Sequence, residues 1–283
     1  MRYFVEHGAD VNKPPAVVFQ QALACFDEEW SQCAHYLIDR GCNIGTFVGI
    51  PYSSSLATAA YRSSIEFVGL ILHRGADINA AIPGTYGSAL LAAVAGSRPE
   101  SVKYLLGHGA DVNRLVGRVY QSTLAAAAPH DRGDDCPVID CLLKAGADLN
   151  MPLDHENHGS ALYMAVLREN KADMNALLRA GADVNAQLRD GEYSSALATA
   201  TSGDCIDLVN LLLKAGADVN MQLEHGGFGS ARAAAAAMEA QDDMIRLLVE
   251  RGADVNMELR HGKYCNALVT AEANEMLLNV KVL

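Results

Sequence analysis

Hydrophobic positions along this chain alternate between two patterns: a short run of small residues, then a stretch in which large aliphatics fall on one helical face. In residues 86–113, Tyr86-Gly87-Ser88-Ala89-Leu90 opens a unit and Ala92 and Ala93 continue a short small-residue helix. Val102, Leu105 and Leu106 follow at i, i+3 and i+4, the spacing of one face of a second helix. Gly109 ends that helix, because glycine tolerates the left-handed C′ position. Ala110-Asp111-Val112-Asn113 then leads into an extended hairpin, so the unit reads loop, helix, turn, helix, loop. The Gly-Ala-Asp-Val-Asn string or a near relative of it begins at Gly8, Gly41, Gly75, Gly109, Gly146, Gly181, Gly216 and Gly252, in steps of 33 to 37 residues. Self-similarity at this period predicts stacked repeats, each burying its apolar face against its neighbours.

Alignment of the units exposes three columns. A ring precedes each first-helix leucine position by four residues: Phe19, Tyr52, Tyr86, Tyr120, His158, Tyr193, Phe228 and Tyr264. Two residues after each ring stands Gln21, Ser54, Ser88, Ser122, Ser160, Ser195, Ser230 or Asn266, and all but Gln21 are good N-caps, whose side-chain oxygen accepts from a free backbone N–H. The rings therefore sit at the base of the hairpins, where packing under the unit's own turn is the simplest role. The leucine column is Leu23, Leu56, Leu90, Leu124, Leu162, Leu197, Arg232 and Leu268, with Arg232 as its exception.

The chain resembles the ankyrin-repeat family. The resemblance rests on the Gly-Ala-Asp-Val-Asn signature, the paired leucines before it and the alanine-rich helix after it. The family's Thr-Pro-Leu-His start of the first helix is absent; Ser88 to Leu91 read Ser-Ala-Leu-Leu and Ser195 to Ala198 read Ser-Ala-Leu-Ala, which looks like the variant found in fungal ankyrin arrays. The resemblance implies an all-α solenoid of stacked helix–turn–helix units with β-hairpin-like loops. We expect a single domain over 1–283, with a partial unit at 1–12, full units at 13–45, 46–79, 80–113, 114–150, 151–185, 186–220 and 221–256, and a capping unit at 257–283. It also implies a concave face, formed by hairpin tips and first helices, that grips another protein.

Composition adjusts this picture only slightly. Half of the residues are hydrophobic, yet no apolar run approaches the roughly 18 residues a membrane-crossing helix needs. Seven scattered cysteines, odd in number and without a Cys-x-x-Cys pair, fit reduced thiols and an intracellular, cytoplasmic location. The net charge is −12, but seven of the 34 acids are the signature aspartates Asp10, Asp77, Asp111, Asp148, Asp183, Asp218 and Asp254. Much of the acidity therefore accompanies the repeat, and it argues against nucleic acid, whose binding needs clustered lysine and arginine. At the N-terminal end Phe26 replaces an alanine and Trp30 follows, a pair expected to thicken that end of the stack.

Candidate functional residues gather in the later units. From Asn150 onward the hairpins lengthen, and their tips align five residues after each asparagine at His155, Asp190, His225 and His261. With the ring residues Tyr193, Phe228 and Tyr264 and the outlier Arg232, they form the expected partner-binding set. A guanidinium in a leucine column must reach solvent or find an anion, because burying an unpaired charge is costly. The alternative is an enzyme whose groove uses His155, His158, Asp190, His225, Arg232 and His261 for acid–base work. The spacing in His155-Glu156-Asn157-His158 is not that of the zinc proteases, and two tip imidazoles on stacked units barely converge on a metal. The insertion Pro129 to Pro137 holds three aspartates in five residues but lacks calcium-loop spacing. No phosphate loop or nucleophile elbow is present, so no cofactor and no metal are expected.

Overall fold

A computed structural model describes residues 6–7, 32, 35–36, 38–41, 54–62, 64–82, 86–115, 122–127, 137–151, 160–189, 193–237, 242–260 and 262. Among them lie twelve helices and no strand: α1 Ser55–Arg62, α2 Ile65–His73, α3 Ala89–Ala95, α4 Pro99–Gly107, α5 Thr123–Ala127, α6 Pro137–Lys144, α7 Ala161–Leu167, α8 Lys171–Arg179, α9 Ala196–Ser202, α10 Ile206–Lys214, α11 Ala231–Ala236 and α12 Asp242–Glu250. No helix among the described residues is long and apolar enough to cross a membrane. The chain divides into two compact units, 1–131 with 137–147 and 132–136 with 148–283. The insertion at 129–137, except Pro137, and the Phe26–Trp30 pair lie outside the described residues.

In both units the elements alternate between a short first helix and a longer second helix. In the first unit α3 packs against α1 and α5, while α4 packs against α2 and α6. In the second, α9 lies between α7 and α11 and packs on its own partner α10. First helices are buried nearly all round, which explains their alanines: Ala57, Ala59, Ala60, Ala92, Ala93, Ala126, Ala165, Ala198, Ala234 and Ala235 are inaccessible. Small side chains let the backbones of successive units approach closely. Second helices bury only one stripe, such as Val102 with Leu105, Met174 with Leu177, and Leu208 and Val209 with Leu212.

The expected caps form. The hydroxyls of Ser54, Ser88, Ser122, Ser160, Ser195 and Ser230 each accept from the backbone N–H three residues on, at 3.1 to 3.2 Å.

The signature string is a set of backbone instructions. Its glycine takes positive φ at every described repeat, +96° at Gly181 for example, with open space around the α-carbon. The requirement at that glycine is therefore conformational and not steric. The aspartate folds back on the asparagine two residues later: Asp183 Oδ1 accepts from the Asn185 N–H at 2.9 Å. The asparagine then crosses to the next repeat. Asn185 Nδ2 donates to the Gly216 carbonyl at 3.2 Å and its Oδ1 accepts from the Asp218 N–H at 2.8 Å. Asn79 makes the same two bonds to Gly109 and Asp111, and Asn220 makes them to Gly252 and Asp254. Each asparagine is thus a rung between consecutive units, and each signature aspartate acts as a local backbone acceptor.

Candidate functional site

The hairpin loops between 185 and 229 are built from the same logic with longer connections. Each is closed by one backbone bond, Leu188 N–H to the Ser194 carbonyl and Leu223 N–H to the Gly229 carbonyl, both at 2.9 Å. In the first unit Ile82 N–H closes on Gly87 in the same way. Ser194 stands at φ +47° where Gly87 stands at +68°, so a buried serine adopts the left-handed conformation that glycine takes without strain.

A second amide ladder joins these loops. Gln187 Nε2 donates to the Gln222 carbonyl at 3.0 Å while its Oε1 accepts from the Glu224 N–H at 2.9 Å. Gln222 Nε2 continues to the Glu258 carbonyl at 3.2 Å. Further out the backbones nearly touch: a Cβ added to Gly262 would lie 2.5 Å from the Gly229 nitrogen. Gln187 and Gln222 both stand two residues after the rung asparagine, and that recurrence is the signal by which sequence reading would have found the ladder.

The structure describes four of the expected contact residues and places three of them on this edge. Tyr193 and Phe228 stack across adjacent hairpins, ring centroids 5.8 Å apart and planes within 8°. Both rings are half-buried, and His225 is exposed at the neighbouring turn. The rings are thus both staples of their hairpins and part of the exposed edge. Tyr86 repeats the arrangement in the first unit, packed with Tyr61 against Ala57, Ile82 and Ala92.

Arg232 is the fourth, and it does not snorkel. It is 2 % exposed as the second residue of α11, where Leu90, Leu124, Leu162 and Leu197 fill the equivalent positions. Its Nε and Nη1 have no hydrogen-bond partner among the described residues. Burial draws the pKa of the guanidinium below its usual value, and the charge of Asp254 opposes that shift. Asp243, eleven residues after Arg232, and Asp204, in the repeat before it, are exposed. Glu239 and the side chain of Asp242 lie outside the described residues, as do His155, His158, Asp190, His261 and Tyr264. Of the six residues an acid–base site would need, the described ones are His225 and Arg232, one at the surface and one in the core. Among the described residues no three His, Cys, Asp or Glu side chains converge on a metal position.

The repeat geometry has counterparts among known proteins. The family profile for "Ankyrin repeats (3 copies)" matches residues 123–223, and that for a single "Ankyrin repeat" matches residues 88–115. Residues 88–115 and 123–223 are therefore ankyrin repeats. No curated protein matches it in sequence. Among solved structures it resembles the human ASB11 ankyrin repeat domain, with a TM-score of 0.60 and 24% identity, over 80% of this chain and 97% of that one. It also resembles the ankyrin repeat domain of Bcl-3, described as a unique member of the IkappaB protein family, with a TM-score of 0.64 and 24% identity, over 81% of this chain and 97% of that one. At this identity the two likenesses bear on the fold alone.

Proposed function

We propose that this chain is a protein-binding module whose partner lies along the hairpin tips and first helices, with His155, Asp190, Tyr193, His225, Phe228, Arg232, His261 and Tyr264 as its contacts. Ankyrin-repeat domains generally mediate protein–protein interaction, which supports the general reading. The observation that carries the choice of face is the double amide ladder. Asn185 and Asn220 fix the roots of successive loops, and Gln187 and Gln222 fix their arms. A surface so ordered loses little conformational entropy when a partner docks, and preorganisation of this kind turns contact area into affinity. The stacked Tyr193–Phe228 pair supplies aromatic anchors of the sort that dominate interface energetics.

The test is a comparative capture. Wild type and a variant carrying His155→Ala, Asp190→Ala, His225→Ala and His261→Ala are immobilised, both confirmed folded by circular dichroism. Retained proteins are identified by mass spectrometry and re-tested as purified partners. A purified partner that binds wild type and is lost, in graded steps, as the four substitutions accumulate supports the hairpin edge. Partners held equally by both baits overturn the assignment to that face. Full loss of a catalytic turnover from a single substitution in a folded variant would favour a groove enzyme instead.

A further inference from the structure

The second helices of the unit spanning 148–283 carry a feature separate from the hairpin edge. Asp207, Asn210, Leu211 and Lys214 stand at i, i+3, i+4 and i+7 and so form one stripe along α10. With Lys171 at the start of α8 and Arg251 just beyond α12, they line an open groove of about 630 Å³. The charged lining is three cations and one carboxylate, on a chain whose net charge is −12. That carboxylate is already matched, because Lys171 Nζ pairs with Asp207 Oδ2. Arg251 is held without being neutralised: its Nη2 donates to Asn210 Oδ1 at 2.5 Å. Asn210 is itself fixed, its Nδ2 donating to the Ile206 carbonyl at 3.1 Å, which turns the amide oxygen toward the guanidinium. Lys214 is exposed and carries no ion pair among the described residues. Among the described residues two positive charges remain without an ion pair, beside the half-buried Leu211.

A basic residue in the last turn of a helix complements the macrodipole, and Lys144 and Arg179 stand in that place on α6 and α8. The same explanation covers the position of Lys214. It asks nothing of Asn210, whose amide draws Arg251 across onto the neighbouring helix.

We infer that this groove receives an acidic segment of a partner protein, its carboxylates meeting Lys214 and Arg251 and an apolar side chain meeting Leu211. Two separated cations with an aliphatic residue in the same lining fit a peptide bearing spaced carboxylates. A polyphosphate chain would need many more cations and would meet the field of an acidic molecule. Asn210 is a positioning residue, acting through Arg251.

The experiment is fluorescence anisotropy of the full chain with labelled octaglutamate and octaglutamine at low and physiological salt. Octaglutamate is expected to bind and to weaken as salt rises, with octaglutamine not binding. Lys214→Glu with Arg251→Glu should weaken octaglutamate at least tenfold, equivalent to about 1.4 kcal/mol. The milder pair Lys214→Gln with Arg251→Gln should weaken it less, and Asn210→Ala should weaken it while leaving both cations in place. Lys103→Glu with Lys144→Glu makes the same change of net charge on exposed positions of the other unit and should leave affinity within about twofold. Equal loss in the two charge-reversed variants overturns the groove. So does equal binding of octaglutamine, or displacement of octaglutamate by millimolar inorganic phosphate, which would mark a simple anion site.

Discussion

Arg232 takes the place of a leucine in a column whose other described members are buried leucines, and two of its nitrogens lack acceptors among the described residues. A buried donor without a partner costs about 1–3 kcal/mol, and more when charged. Arg232→Leu should therefore raise stability by at least about 1 kcal/mol in urea unfolding, since it removes the orphaned group and restores the column. If Arg232 anchors a partner's carboxylate, the same variant should bind that partner more weakly, a trade of stability for function. A fall in stability would instead mean that the guanidinium is satisfied in the native state. Cys205 gives a second expectation at this scale. Burial, the charge of Glu169, a hydrogen bond to that carboxylate and the charge of Asp204 all raise the thiol's pKa, against a smaller opposing effect of Lys171. A raised pKa means less thiolate at a given pH, so Cys205 should react with iodoacetamide at pH 8 more slowly than a free thiol. Glu169→Gln should speed it by removing the negative charge, measured by mass spectrometry of the alkylated peptide.

Between elements, the asparagine rungs carry the register of the stack. Asn185→Ala deletes two of the bonds that join one repeat to the next, and at about 1 kcal/mol net per bond the loss should be about 1–2 kcal/mol. Ser195→Ala removes the cap of α9 and should cost about 1 kcal/mol. Gly181→Ala, at φ +96°, should cost about 1–2 kcal/mol from backbone conformation alone. These are the residues that make the fold legible in the amino-acid sequence. Glycine, aspartate, asparagine and the cap serine each perform a backbone task that few other side chains perform, so the task leaves its mark at a fixed spacing. The groove on α10 leaves no such mark. Lysine, aspartate and asparagine on an exposed helical face are what any solvated helix shows, and Lys171 and Arg251 reach α10 from 36 and 41 residues away through stacking alone. The burial of Arg232 is equally hidden: its column position marks it as unusual, but the choice between reaching solvent and staying inside depends on neighbours that the sequence does not place.

For the whole molecule, the two proposed surfaces lie on different classes of helix. The hairpin edge belongs to the first helices and their loops, and the groove belongs to the second helices. Substitutions that share no partner should add independently, within about 0.5 kcal/mol. The quadruple alanine variant at the hairpin tips should therefore keep its affinity for octaglutamate, and the Lys214→Glu, Arg251→Glu variant should keep its affinity for a hairpin-edge partner. Loss of both activities in either variant, with the fold intact by circular dichroism, would show that one site was being counted twice. Part of the chain's acidity is architectural: Asp77, Asp111, Asp148, Asp183, Asp218 and Asp254, six of its 34 acids, each accept the backbone N–H two residues on.

The rungs also bear on how this protein ages. Asparagine is a thermolabile residue, and its spontaneous deamidation requires the side chain to swing onto the following backbone nitrogen. Asn79, Asn185 and Asn220 are held at both ends of the amide, and the following backbone N–H groups, of Ala80, Ala186 and Met221, already donate to the carbonyls of Asp77, Asp183 and Asp218. Folded protein should therefore keep these amides through long storage, while urea-unfolded chain loses them. Where one did convert, a carboxylate would face the carbonyl of Gly109, Gly216 or Gly252 in place of a donor, and the chemical clock of a single side chain would become a break between two repeats.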